Sequence, residues 1–271
     1  MLKKDLFKDK DEGINKVTSI IKSQAENLGG TFNSEVSDEE KSKKVWYLDT
    51  KKHKLYEDTG LLIRVKENQE KSEYKVEFKI RNSDRNKVSS YDLNNPKKNS
   101  DYDFKRKQYK FEEDITTPFE SIFSVSSVFE YKEKPDLNIF KDIESIYPLL
   151  GIDLLNKNKK IVKVNDFEVD EFNPDLGKID FANGKSAQIQ LSIWYLPDDS
   201  SIPCIVEFDI DVEAEKPSIE NNDEKVEEFP QSKIREIDEL YKKLQDNSIG
   251  IADLETSKTK TRFVYEWKRT L

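Results

Sequence analysis

The chain has 271 residues, 37% charged and 35% hydrophobic, with 46 Lys and Arg against 55 Asp and Glu for a net charge of -9. That balance argues against sequence-independent nucleic-acid binding, which rests on neutralising phosphates, while 15 Phe, 11 Tyr and 3 Trp supply the bulk for a folded core. The single Cys204 and single His53 exclude disulfide frameworks, Cys/His zinc sites and Cys-His catalytic pairs.

In chain order, the opening MLKKDLFKDKDEG lacks the apolar stretch of a secretory signal. No run approaches the roughly 18 to 20 apolar residues of a membrane span, so a cytoplasmic protein without membrane partners is expected. Residues 14 to 28 place Ile14, Val17, Ile20, Ile21, Ala25 and Leu28 on one helical face, with Gly29 and Gly30 as a stop. Ile139, Ile143 and Ile146 predict a second amphipathic helix, and Ile234, Ile237, Leu240, Tyr241 and Leu244 a third after Pro230. Between the helices the period changes to two, which predicts antiparallel strands. The polar stretches 82 to 103 and 213 to 232 are expected as loops within one domain covering residues 1 to 271. Gly184-Lys185-Ser186 ends like a phosphate-binding loop, but the glycine needed five positions earlier is Ile179, which removes that reading.

Three strands share one design. In KVEFKIR, the residues Lys75, Glu77, Lys79 and Arg81 oppose Val76, Phe78 and Ile80; in LLIRVK, Arg64 and Lys66 oppose Ile63 and Val65. In VEFDIDVE, Glu207, Asp209, Asp211 and Glu213 oppose Val206, Phe208, Ile210 and Val212. A wet sheet face explains any one of them, but the sorting of charge by strand asks for more. Alternate carboxylates repel unless something positive sits among them, and oxygen clusters suit Mg²⁺ or Mn²⁺. Arg and Lys rows suit phosphate oxygens. A sheet closed with its charged face inward would hold metal and polyphosphate together, with the helices covering the apolar outside.

The run WYLDTKKHKLYEDTGLLIRVKENQEKSEYKVEFKIR, from Trp46 to Arg81, resembles the CYTH domain of the triphosphate tunnel metalloenzymes. The family's aromatic-aromatic-Asp-Thr strand start, its Gly-Leu-x-Leu-Arg-x-Arg strand and its Lys-bearing strand look like Tyr47 to Thr50, Gly60 to Lys66, and Lys79. The later AQIQLSIWYLPDDSSIPCIVEFDIDVEAEK is similar to the family's carboxylate hairpin, and Ser257-Lys258 in LETSKTKTRFVYEW to the Ser-Lys before its last strand. The motifs span about residues 40 to 267 in the family's order.

The resemblance implies an α+β protein built on a closed or nearly closed eight-stranded antiparallel barrel with helices outside. It implies Arg64, Lys66, Lys79 and Lys258 on phosphate oxygens, with Arg81 and Lys160 as additional candidates. Glu207 and Asp209 would hold Mg²⁺ or Mn²⁺, with Asp211 extending the same face, so Glu207, Asp209 and Lys79 form the expected catalytic set. The implied activity is metal-dependent hydrolysis of inorganic triphosphate. Three departures are plain: the family's first-strand Glu-x-Glu-x-Lys has no counterpart in KKDLFKDKDEG, the second Arg of the Arg-x-Arg strand is Lys66, and Gln108 and Lys110 stand where Arg and Glu are expected. A non-catalytic binder of nucleotides or polyphosphate, and an adenylate cyclase of the same family, therefore stay open as alternatives.

Overall fold

The computed structural model describes residues 1–34, 42–94, 96, 104–116, 120–147, 156–181, 186–212, 231–255 and 259–268. After a short 3-10 turn at Lys4–Phe7 come α1 (Lys10–Asn27), β1 (Thr31–Ser34), β2 (Lys43–Thr50), α2 (Lys54–Thr59), β3 (Leu61–Asn68), β4 (Glu73–Asn82) and α3 (Arg85–Ser89). There follow β5 (Phe104–Thr116), β6 (Glu120–Tyr131), α4 (Phe140–Ile146), β7 (Ile161–Phe172), β8 (Asp175–Asp180), β9 (Ser186–Tyr195), β10 (Ile205–Asp211), α5 (Gln231–Leu244) and α6 (Lys260–Glu266). Antiparallel strands thus dominate an α+β fold. None of the helices is long and apolar enough to cross a membrane, among the described residues.

The chain divides into two compact units that are each discontinuous in sequence. The first joins Met1–Glu40 to Glu171–Ser257, and the second joins Lys41–Asp170 to Lys258–Leu271.

In the first unit β1 pairs with β8, β8 with β9, and β9 with β10, all antiparallel. One face of these strands is apolar: Phe32, Leu176, Ile179, Ile189, Leu191, Ile193 and Val206 form a core with Val17, Ile21 and Ala25 of α1 and Leu240 and Leu244 of α5. Helix α1 begins before the apolar periodicity does, because the Asp9 side chain accepts from the Glu12 amide and caps it. The covering of the apolar face by amphipathic helices, as expected, follows from the period of each element.

In the second unit the strand order is β7-β2-β3-β4-β6-β5. Ile63, Val65, Val76, Phe78, Ile80, Val125 and Phe129 point into one core, closed by Phe140, Ile143 and Ile146 of α4. The alternation expected for LLIRVK and KVEFKIR is therefore present, with the charged partners on the opposite face. Helix α3 forms inside the stretch read as a loop from 82 to 103: Asp84 caps it by accepting from Asn86 and Lys87 amides, and Val88 and Leu93 are fully buried. Two apolar anchors in a polar run were enough to fix it. The second expected loop lies outside the described residues from 213 to 230, while Gln231 and Ser232 already belong to α5.

Among the described residues the expected eight-stranded closure is not formed. Among the described residues there are ten strands, and β5 pairs only with β6 in the second unit, while β1 pairs only with β8 and β10 only with β9 in the first. The segment after Ser257-Lys258, where the resemblance implies a last strand, forms helix α6 (Lys260–Glu266). Its β-favouring composition is overruled by the Thr259 hydroxyl accepting from the Arg262 amide and by the Arg262 to Glu266 pair at 2.7 Å, one turn apart. The Asn165 side chain, set by left-handed backbone at Asn165 and Asp166 within β7, donates to the carbonyls of Val264 and Tyr265 at 2.9 and 3.0 Å, closing the helix at its end.

A cationic sheet face with its own counter-ions

The charged face of the second unit is assembled by register. Arg64 lies opposite Glu77 and Lys66 opposite Lys75 across β3 and β4. Lys79 lies opposite Ser126 and Arg81 opposite Ser124 across β4 and β6. Lys110 and Glu112 face the same two serines from β5. Residues directly opposite in a sheet share a face, so Arg64, Lys66, Lys79 and Arg81, expected to bind phosphate, stand on one surface of adjoining strands.

Carboxylates pair with the cations of this surface. Arg64 Nη2 is 2.7 Å from Glu77 Oε2, Lys79 Nζ is 3.0 Å from Glu112 Oε2 and 3.8 Å from Asp114 Oδ2, and Arg81 Nη2 donates to Asp114 Oδ2 at 2.6 Å. Lys110 adds a contact to Glu112 at 3.6 Å. The Glu77 side chain is only 14% exposed, and burial pushes its carboxyl pKa up. Arg64, then Lys79, Lys66 and Lys260, together outweigh burial and hold it below its ordinary value. That direction follows from the positive charge gathered around a mostly sequestered carboxylate.

On this face Arg81 Nε and the Ser124 hydroxyl are buried without a hydrogen-bond partner. Arg81 thus uses one edge of its guanidinium on Asp114 and leaves another donor over. Arg81 also lines an open depression of about 590 Å³ with Tyr56, Asn82, Ser83, Glu120, Ser121, Thr259 and Thr261.

The face is framed by a fully buried carboxylate. Asp49 accepts from the amides of Leu55 and Tyr56 at 2.9 and 3.0 Å, capping α2, and from the Tyr265 hydroxyl of α6 at 3.1 Å. Burial raises its pKa despite these donors. His53 stands at the start of α2 in left-handed backbone, with its ring edge-on to Tyr265 at 5.1 Å. The Asp-Thr pair and His53 are structural here: they fix where α2 and α6 go.

The remaining expected site residues belong to other elements. Lys160 is exposed in an isolated bridge with Ile139, at the start of α4, and Lys258 is outside the described residues. Glu207, Asp209 and Asp211 belong to the first unit, opposite Ser192, Gln190 and Gln188 across β9 and β10. They share a face, as alternation predicts, and Glu213 is outside the described residues. Oxygen donors of this kind suit Mg²⁺ or Mn²⁺ in type, but alternate positions on a strand are spread by about 7 Å. Among the described residues no three His, Cys, Asp or Glu side chains converge to hold a metal ion.

Glu112, Asp114, Ser124, Ser126 and Lys260 were not among the expected site residues. The alternation of Gln108, Lys110, Glu112 and Asp114 carried the signal for β5; Lys260 could not be found while TRFVYEW read as a strand. Comparison with known protein families, curated proteins and solved structures gives no match for this chain.

Proposed function

We propose that the cationic face of the second unit binds the phosphate chain of a triphosphate, most simply inorganic triphosphate, and that the protein hydrolyses it with Mg²⁺ or Mn²⁺. The observation that carries this reading is the register that brings Arg64, Lys66, Lys79 and Arg81 to one face of β3 and β4; the same cations hold the Glu77 carboxyl below its ordinary range against its burial. A phosphate chain brings several charged oxygens to the same field. It displaces Glu112 and Asp114 from Lys79 and Arg81, and a side-on fork engages both Arg81 Nη2 and the idle Nε. Hydrolysis then requires a water held in line with the terminal phosphorus; it adds to that phosphorus as the bridging P–O bond breaks, releasing orthophosphate and pyrophosphate. Arg and Lys positions stabilise the charge that moves to the bridging oxygen.

The CYTH resemblance gives Glu207, Asp209 and Asp211 of the first unit as the oxygens that would hold Mg²⁺ or Mn²⁺, and such an ion, when bound, supplies neutralisation of phosphate charge. Because those carboxylates do not converge into a cage, the reading expects little metal binding without substrate, since Mg²⁺ held by one or two carboxylates depends on substrate phosphates for much of its shell. A second reading, a non-catalytic polyphosphate or nucleotide binder, is favoured by one feature: Lys79 and Arg81 already have carboxylate partners, as in a face that stores or senses an anion.

The deciding experiment is calorimetry with tripolyphosphate in chelator, Mg²⁺ and Mn²⁺, joined to a phosphate-release assay. Tight binding that strengthens with metal, with release of orthophosphate, is the expected result. Binding equal in chelator and metal with no turnover leaves the binder; no binding at all removes the cationic face as a phosphate site.

A further inference from the structure

Strand β5 is a long edge, and its composition is unusual for one. Among the described residues it pairs with β6 alone, which leaves a row of backbone donors and acceptors on its outer side. Of the large hydrophobic residues exposed on the described surface, Tyr109, Phe111 and Ile115 all lie on β5, at 40%, 41% and 39% exposure. They share one face with Glu113, because their strand partners are Ser127, Val125, Ser121 and Phe123 on the neighbouring strand. The opposite face carries Gln108, Lys110, Glu112 and Asp114. Single exposed apolar residues need no explanation; a stripe of them on an unpaired edge does.

We infer that β5 is a homodimer interface, pairing antiparallel with β5 of a second copy about a two-fold axis at Phe111. The register follows from charge. An axis at Lys110 sets two lysines face to face, and an axis at Glu112 sets two glutamates face to face, each destabilising in a cross-strand pair. An axis at Phe111 opposes Phe111 to itself, Lys110 to Glu112 and Gln108 to Asp114, with each pair made twice by symmetry. Tyr109 then lies opposite Glu113, and no like charges meet from Gln108 to Asp114. A lysine near the middle of an edge strand ordinarily repels another edge; here its opposite number is acidic, so the same residue favours a copy of this strand and disfavours the registers centred on Lys110 and Glu112. The shift in pairing between Arg106 and Gln108 bounds the regular stretch on one side. A two-fold contact of this kind closes on itself and does not propagate. The inference is independent of the proposed phosphate chemistry.

The test uses the full chain. Sedimentation equilibrium across a wide concentration range is expected to give a reversible monomer–dimer equilibrium, and Phe111→Lys, which places two ammonium groups on the axis, is expected to give monomer at every concentration. Register is read by cross-linking in a Cys204→Ser background. Directly opposite residues bring Cα atoms within about 4.5 to 5.5 Å, inside disulfide range, whereas residue 109 and its copy are separated by about four strand residues, beyond reach. Phe111→Cys should form a disulfide-linked dimer on mild oxidation and Tyr109→Cys should not. Circular dichroism of each variant checks that it is folded; because Phe111 is exposed, its substitutions leave the core intact. A chain that is monomeric throughout, a dimer untouched by Phe111→Lys, or equal cross-linking at 109 and 111 would each overturn the inference.

Discussion

Glu77 offers the most searching test of the cationic face, because its removal should move stability and binding in opposite directions. The change Glu77→Gln keeps the shape and removes one negative charge from among Arg64, Lys66, Lys79 and Lys260. Unit charges about 4 Å apart attract by roughly 4 kcal/mol at the effective dielectric of a protein surface, and the desolvation of Glu77 offsets part of that. With 14% of the Glu77 side chain and 23% of Arg64 still exposed, a loss of about 2 kcal/mol is expected, below the roughly 3 to 5 kcal/mol for breaking a fully buried pair. Binding should respond the other way: the substitution removes an anion that competes with phosphate, and a gain of about 1.4 kcal/mol is tenfold in Kd. Urea unfolding followed by tryptophan fluorescence reports the first effect, with Trp46 and Trp267 in the second unit and Trp194 in the first. Calorimetry with tripolyphosphate reports the second. The sign of the pH dependence is also fixed. A carboxyl whose folded pKa lies below its ordinary 4.5 contributes stability that is complete above about pH 4.5 and is lost as pH falls through the lower folded value. The wild-type advantage over Glu77→Gln should therefore shrink in acid. Weaker tripolyphosphate binding by Glu77→Gln, or an unchanged unfolding midpoint at neutral pH, would refute the reasoning.

Lys79→Ala should weaken tripolyphosphate binding by about 1 to 3 kcal/mol, the range for losing a hydrogen bond to a charged group, while leaving the far-ultraviolet spectrum unchanged; equal calorimetric affinity would take Lys79 out of the site. Asp49→Ala should lower stability by about 2 kcal/mol or more, since it leaves the α2 amides and the buried Tyr265 hydroxyl without their acceptor, and a midpoint matching wild type in urea would contradict the capping role. Burial pushes the Cys204 thiol up to about 12, so native protein should react slowly with a thiol reagent near pH 8 and fast once unfolded; rapid labelling of the native chain counts against that environment.

What the sequence disclosed was what alternation and helical periodicity encode. Val76, Phe78 and Ile80 could only be sorted from Lys75, Glu77, Lys79 and Arg81 one way on a strand, so the faces of β3 and β4 were legible residue by residue. The same holds for α1 and α5, whose apolar stripes are long. The short helices were not legible, because their stability comes from distant partners: α3 from the burial of Val88 and Leu93, α6 from Asn165 reaching back from β7 and from Asp49 receiving the Tyr265 hydroxyl. No local window contains those pairs. Closure was out of reach for a related reason, since which strand stands at an edge is decided by pairing across the fold and not by the composition of β5. The carboxylates that neutralise Lys79 and Arg81 follow alternation within β5, but their partners on β4 could be assigned only once β6 was known to lie between.

The interleaving of the two units bears on how the chain can be made. Helix α1 emerges from the ribosome early, yet the strands that cover its apolar stripe, β8, β9 and β10, are synthesised only after all of β2 to β6. The second unit waits in turn for α6, which follows every other element. At elongation rates of roughly 5 to 20 residues per second, the apolar face of α1 stays uncovered for roughly 7 to 30 seconds, and the long sequence separations predict slow folding once the chain is whole. A nascent chain stalled before residue 171 would display that face to holding chaperones, so ribosome-bound intermediates of this protein should be among the more aggregation-prone states it passes through.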